Sequence, residues 1–274
     1  MLYMRQELEQ AFNRALFFSL TRKKIFFILP ILLFCGIIVV LSHTLWIGSN
    51  PWIRSSLAFI PGFICMALFL AAAVPLIRLY HDEVKQKPLS VNKTLKHSWK
   101  LMAGIGSLIV PILTAYLVLW FILGIFYLLK NIPATGEILG GLLSFGPFLL
   151  IAGSLLLLAI SLTLIFFLSP VVALKSTMSW ELAEDVLKRF GREPFLHAML
   201  LLIGVFPLIL VVGFLVLSAT LTGMTYFVTE RTWAIGLQWF VIMIPFATLL
   251  SPVVIFLFNF AAESFVILQK RLKA

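Results

Sequence analysis

Six stretches of this chain contain no Lys, Arg, Asp or Glu: 25–53, 55–77, 101–129, 138–174, 194–229 and 232–262. An α-helix rises about 1.5 Å per residue and the hydrocarbon of a bilayer is about 30 Å thick, so roughly 20 apolar residues cross it. Each stretch is longer than that. Across the 274 residues, 62% are hydrophobic and 12% are charged, against ~45–50% and ~25% in soluble domains. A water-soluble fold is excluded. The pattern predicts an all-α polytopic membrane protein, with one membrane domain over 1–274 and six transmembrane helices.

The net charge of +10 raises a nucleic-acid reading, but its distribution argues against one. With one span per stretch, Arg5, Arg14, Lys24, Arg78, Lys87, Lys93, Lys188, Lys270 and ten further Lys or Arg fall on one side, 18 in all. The other side has three: Arg54, Lys130 and Arg231. The positive-inside rule makes the rich side cytoplasmic and places both termini there. Topogenesis and anionic headgroups account for the excess charge. The partners expected are membrane lipids and a membrane protein or a second copy of the chain, with no nucleic acid. The long stretch 138–174 could hold two spans, but splitting it would reverse the four positives that follow. Gly136, Gly140, Gly141, Gly146 and Pro147 make its start an outer loop instead. No cleavage site follows the first span, which is expected to act as an uncleaved signal anchor.

Prolines divide the chain into three units. The first span of each pair carries Pro30, Pro111 or Pro207, and the second carries Pro75, Pro170 or Pro252, spaced 45, 59 and 45 residues apart. The last two second spans share an identical Leu-Ser-Pro-Val-Val, beginning at Leu168 and Leu250. The chain therefore reads as three repeated helical hairpins over about 5–80, 89–174 and 179–268. An amphipathic segment precedes each hairpin. Over 5–20, Leu8, Phe12, Ala15, Leu16 and Leu20 share a face. Over 90–102, Val91, Leu95, Trp99 and Met102 do so, with Ser90 as N-cap. Over 179–190 the same spacing holds for Trp180, Ala183, Leu187 and Phe190. Such helices are expected to lie in the headgroup plane on the cytoplasmic side, with Gly104 and Gly191 turning the chain into the membrane. Ser169 and Ser251 stand before their prolines, where a hydroxyl can hydrogen-bond to nearby backbone. Ala71, Ala72 and Ala73 open the second span to close contact.

Around the second span the residues Pro75, Asp82, Glu83, Ser90, Leu95, Ser98, Trp99 and Gly104 form a pattern. It resembles the membrane domain associated with glycerophosphodiester phosphodiesterases and related six-helix bacterial inner-membrane proteins. Pro170, Ser179, Leu187 and Gly191 echo it in the third unit. The chain departs from it after Pro170, where Ala173-Leu174-Lys175 stands in place of an acidic residue. The resemblance implies a module of the bacterial cytoplasmic membrane. It carries over no active site, because the phosphodiesterase domain of that family is soluble and separate.

The sequence offers no catalytic, cofactor-binding or metal-binding residues. No Asp, Glu, Lys or Arg lies inside the six stretches, so a coupled pump lacks an evident carboxylate. Arg78 and Glu263 lie near helix ends where long side chains reach the interface, and Asn259 shares a face with Glu263. His81-Asp82-Glu83 reads as a solvated turn, since helical metal ligands need i, i+3 or i+4 spacing. Cys35 and Cys65 read as packing residues rather than a disulfide. Trp46, Trp52, Trp233 and Trp239 belong to the outer interface, Trp99 and Trp180 to the inner. The composition thus points to a non-enzymatic inner-membrane protein, a lipid- or envelope-related scaffold or partner subunit. The alternative is a transporter of small solutes or lipids, whose cavity would bring together Ser169, Ser251, Thr114, Tyr116 and Gln238 between proline-kinked helices.

Overall fold

A computed structural model describes residues 2–45, 58–88, 90–130, 145–175, 193–223 and 232–271. These form eight α-helices: α1 Leu2–Phe17, α2 Arg22–Leu45, α3 Ile60–Val84, α4 Val91–Gly106, α5 Ile109–Lys130, α6 Gly146–Lys175, α7 Pro194–Gly223 and α8 Thr232–Arg271. A 3-10 turn at Phe18–Leu20 joins α1 to α2. Six helical segments are long and apolar enough to cross a membrane, with α4 and α5 counting together as one. Long apolar helices are what a chain without water must form, since each backbone amide then finds its partner within its own segment. The protein is an all-α molecule with the makings of a multi-pass membrane protein.

The outward surface agrees with that environment. Along α7, Leu202, Phe206, Ile209, Phe214, Leu217 and Leu221 are each more than half exposed, far beyond the patches that soluble monomers tolerate. On α2 the exposed apolar residues run from Phe26 to Leu45, about 29 Å of helix and close to the thickness of bilayer hydrocarbon.

Three helices form the centre. Residues 72–77 of α3, 165–173 of α6 and 254–262 of α8 are buried on every face. They run in parallel: Gly62 meets Leu158 at one end of the α3–α6 contact and Arg78 meets Ala173 at the other. Tyr80 of α3 reaches Glu263 of α8. The other spans fill the grooves between these three. The α2 helix packs on α3 and α8, α5 packs on α6 and α3, and α7 packs on α8 and against Phe166 and Phe167 of α6. In lipid the driving force for this packing is van der Waals contact rather than escape from water, so small residues mark the closest approaches. A Cβ on Gly204 of α7 would lie 2.5 Å from the Phe166 ring and 3.0 Å from the Phe260 ring. A larger residue there would have to displace these rings.

Residues 90–102 are helical as expected, but the axis of α4 follows α3 rather than crossing its end. His97 and Ser98 lie level with Arg78. A Cβ on Gly106 would be 3.7 Å from the Ala67 carbonyl and 3.8 Å from Ala71 Cβ. Gly104 does not turn the chain; the break comes after Gly106, where Leu108 N–H bonds Ile105 O and Val110 N–H bonds Ser107 O. The packed face is also rotated from the expected one. Ser98 and Ile105 are buried, Leu101 and Met102 join the central core, and Trp99 is 66% exposed. The alanines of α3 explain this, since they leave a groove into which α4 can lie lengthwise. Apolar spacing identifies a sticky face but does not say which neighbour covers it.

The α1 helix behaves alike. Ala11 and Ala15 are buried, with Leu8 and Phe12 packed against Phe256, Phe260 and Leu268 of α8, while Leu16 and Leu20 of the expected face are 50% and 67% exposed. Residues 179–190 lie outside the described residues, as does the glycine-rich loop before Phe145.

The prolines fall at unequal places. Pro30, Pro75, Pro170, Pro207 and Pro252 are inside helices, and α8 has a further one at Pro245. Pro111 stands in the first turn of α5, where no intrahelical N–H bond exists to be lost, so it has no kinking role.

Candidate functional site

The polar side chains gather at the end of the bundle where α1 lies. Two short local features bring them in. Thr21 is extended, with φ −66° and ψ 118°, so the chain turns sharply between the 3-10 turn and α2. Lys24, three residues later, is thereby directed into the bundle and is fully buried. Its ammonium is ion-paired with Glu83 of α3, donates to the Phe18 carbonyl at 3.2 Å, and lies 5.0 Å from the Tyr80 ring centre and 5.9 Å from that of Phe18. The other Glu83 oxygen accepts from the Thr21 hydroxyl at 2.6 Å. One carboxylate thus holds both sides of the α1–α2 turn. A buried cation requires this much compensation, because desolvating a charge costs several kcal/mol.

A second node lies beside the first. Tyr80 donates its hydroxyl to Glu263 of α8 at 2.5 Å, and Arg14 of α1 reaches the same carboxylate oxygen at 3.4 Å. One turn earlier on α8, the Asn259 amide donates to the Ala15 carbonyl at 3.2 Å. Farther out Lys270 pairs with Glu7 at 3.4 Å. Together these bonds tie α1, the start of α2 and the end of α3 to the end of α8. A third node is Arg78, whose Nε donates to the Ala173 carbonyl of α6 at 3.0 Å and whose Nη1 donates to Ser98 Oγ of α4 at 2.9 Å.

The sequence reading did not find this assembly. His81-Asp82-Glu83 is not a uniformly solvated turn: the Glu83 side chain is 13% exposed and pairs inward with Lys24. Glu263 is 12% exposed and paired rather than merely interfacial. Lys24 looked like one more topogenic positive charge. The one available signal was its place directly against the first charge-free stretch.

The five polar residues proposed for a transport cavity are not brought together. Ser169 Oγ donates to Ile165 O and Ser251 Oγ to Ala247 O, the latter at 2.7 Å. A proline frees the carbonyl four residues before it, which here means Phe166 and Thr248, so these hydroxyls miss the freed groups by one residue. The same bond to the i−4 carbonyl occurs at Ser42, Ser154, Ser161 and Thr163, which have no proline after them. It is the ordinary behaviour of a hydroxyl in an apolar helix. Thr114 is exposed and bonded to Val110 O. Tyr116 is buried against Phe59 and Phe63, its hydroxyl without a partner among the described residues. Gln238 lies near the far end of α8. A cavity of about 560 Å³ does open between α2 and α8, but its lining is mainly apolar, including Val40, Leu41, Leu237 and Phe240, and none of the five contributes. Cys35 and Cys65 are buried thiols on adjacent helices, the Cys65 Sγ lying 3.8 Å from the Cys35 carbonyl.

Comparison of the chain with protein-family models, with curated proteins and with solved structures returned no match.

Proposed function

We propose that the chain is a non-enzymatic scaffold or partner subunit of a bacterial cytoplasmic membrane, with both termini on the cytoplasmic side. The observation that carries this reading is where the buried polar groups are spent. Lys24, Glu83, Tyr80, Glu263, Asn259 and Arg78 join helices to one another at one end, and Ser42, Ser154, Ser161, Ser169 and Ser251 are satisfied by their own helices. A transporter needs polar groups facing a path through the midplane; this arrangement favours a fixed bundle.

The three-hairpin repeat belongs to the same proposal. Each groove-filling span packs on the central helix of its own unit and on that of the preceding unit, the first unit joining back to the third; α7 reaches α6 through the Phe166 and Phe167 rings. The helix that precedes a unit follows the same order, α4 lying on α3 and α1 on α8. A triplicated hairpin closing on itself would produce this cyclic pattern, and the kinship suggested by the Pro75–Gly104 residues would fit it.

Topology is tested by reporter fusions, expected to read inside at Gln86 and Leu182 and outside at Ser49, Ala134 and Thr229; one reversed site breaks the assignment. Scaffold and transporter are separated by replacing Cys35 and Cys65 with alanine and placing cysteine at Ser169 or Ser251. Neither new thiol should react with a water-soluble maleimide from either side of the membrane. Labelling at both would put transport first.

A further inference from the structure

The turn from α3 into α4 closes a cleft of about 530 Å³, with the Arg78 node in its wall. Arg78, His81 and Asp82 line it from α3, Lys87 from the turn, Lys93 and His97 from α4, and Ala173 of α6 lies at its base. Three fixed cations thus face one carboxylate. Among the described residues neither Lys87 nor Lys93 has an ion-pair partner.

The geometry is held rather than accidental. The Lys87 N–H bonds Asp82 O at 2.9 Å and the Gln86 N–H bonds Glu83 O at 3.0 Å, with Gln86 at φ 55°. That is the left-handed closure of a helix usually given to glycine, and it fixes where Lys87 stands. Arg78 is anchored by the Ala173 carbonyl and Ser98. The Ser90 side chain makes no capping bond to the first amides of α4, which stand beside Lys93.

The cleft also lies at an informative depth. Glu83, one residue beyond its Asp82 wall, pairs with Lys24, two residues before the exposed apolar belt of α2 begins at Phe26. Trp99 stands exposed on α4 two residues from His97. This is the level of lipid phosphates and interfacial tryptophans.

We infer that this cleft binds a phosphate group. Ammonium, guanidinium and imidazole donors approach from two helices and a turn, which suits a tetrahedral anion with acceptors on every side. A phospholipid headgroup and a soluble phosphate ester share that chemistry. The inference stands whether the bundle scaffolds or transports.

The test uses the full-length protein and the variant Lys87→Gln/Lys93→Gln. Both lysines are exposed, so the substitutions leave the core intact. In one arm, native mass spectrometry follows phosphatidylglycerol added to the detergent-solubilised protein, with phosphatidylcholine as comparison. In the other, calorimetry follows glycerol phosphate and inorganic phosphate. The variant should bind about 25-fold more weakly, from roughly fivefold per lysine near a membrane surface. Loss seen with phosphatidylglycerol alone assigns the site to a lipid headgroup; loss seen with the soluble phosphates assigns it to a free ester. The control Lys85→Gln/Lys96→Gln removes equal charge nearby but outside the cleft. An equal loss in the control, or undiminished binding by the cleft variant in both arms, overturns the proposal.

Discussion

Replacing Lys24 by methionine removes the ammonium paired with Glu83, and the structure sets the size of the result. The Lys24 side chain is 1% exposed and that of Glu83 is 13% exposed, so water cannot take over the lost role. The Thr21 hydroxyl at 2.6 Å still serves one oxygen of Glu83, and the other oxygen is left buried without a donor. Removing one member of a buried pair costs about 3–5 kcal/mol; with one oxygen still bonded, about 3 kcal/mol is expected. Methionine keeps the packing against Phe18 and Tyr80, so the loss is electrostatic rather than volumetric. Adding Glu83→Gln removes the stranded charge while keeping an acceptor for Thr21. The double variant should therefore recover about 2 kcal/mol as coupling energy, within the usual range for contacting residues. Lys270→Gln is the comparison. Its partner Glu7 is 3.4 Å away and the two side chains are 66% and 31% exposed, so its cost should stay below about 0.5 kcal/mol. Unfolding in mixed detergent–SDS micelles, followed by tryptophan fluorescence, measures five proteins: the parent, Lys24→Met, Glu83→Gln, their double variant and Lys270→Gln. A Lys24→Met protein as stable as the parent, or single losses that simply add, would refute the buried-pair argument.

Four further outcomes are expected. Gly204→Ala should destabilise by about 1–3 kcal/mol, the cost of overpacking, whereas Gly213→Ala, with nothing within 4 Å of the new methyl, should be neutral or gain up to about 1 kcal/mol from helix propensity; the same micelle titration checks both, and equal effects would contradict the wedge at Phe166 and Phe260. Cysteines at Ala71 and Gly106, in a background without Cys35 and Cys65, should oxidise to a disulfide, because 3.8 Å between the Cβ positions matches disulfide geometry; failure to cross-link under mild oxidant would return α4 to the headgroup plane. Ser169→Ala and Ser251→Ala should each cost about 0.6 kcal/mol, the mean for such bonds in membranes, and a stable Ser→Ala protein that loses all cellular phenotype would speak for a substrate-binding serine instead. Gln86→Gly should raise the melting temperature, since a left-handed residue other than glycine costs roughly 1 kcal/mol, and a lowered one would show that the Gln86 side chain has a contact of its own.

The number and approximate limits of the spans could be read from residue order alone. A charge cannot enter hydrocarbon cheaply, so an unbroken apolar stretch carries its own address, and all six charge-free stretches coincide with helices long enough to cross. The helical nature of 5–20 and 90–102 was legible for a similar local reason, because the apolar spacing of a single turn repeats every three to four residues. What covers each face was not legible. In lipid, a packed and a lipid-facing leucine look alike in sequence. Hence α4 lies along α3 with Trp99 exposed, and α1 packs Leu8, Phe12 and Ala15 of the expected face together with Ala11, while Leu16 and Leu20 stay exposed. The charged assembly was hidden for a further reason. Lys24, Glu83 and Glu263 lie 59 and 180 residues apart along the chain, and each by itself resembles an ordinary residue at a membrane boundary. Only the packing of α1, α2, α3 and α8 at one end brings Lys24 to Glu83 and Glu263 to Tyr80 and Arg14, where removal from water turns scattered surface charges into a buried network.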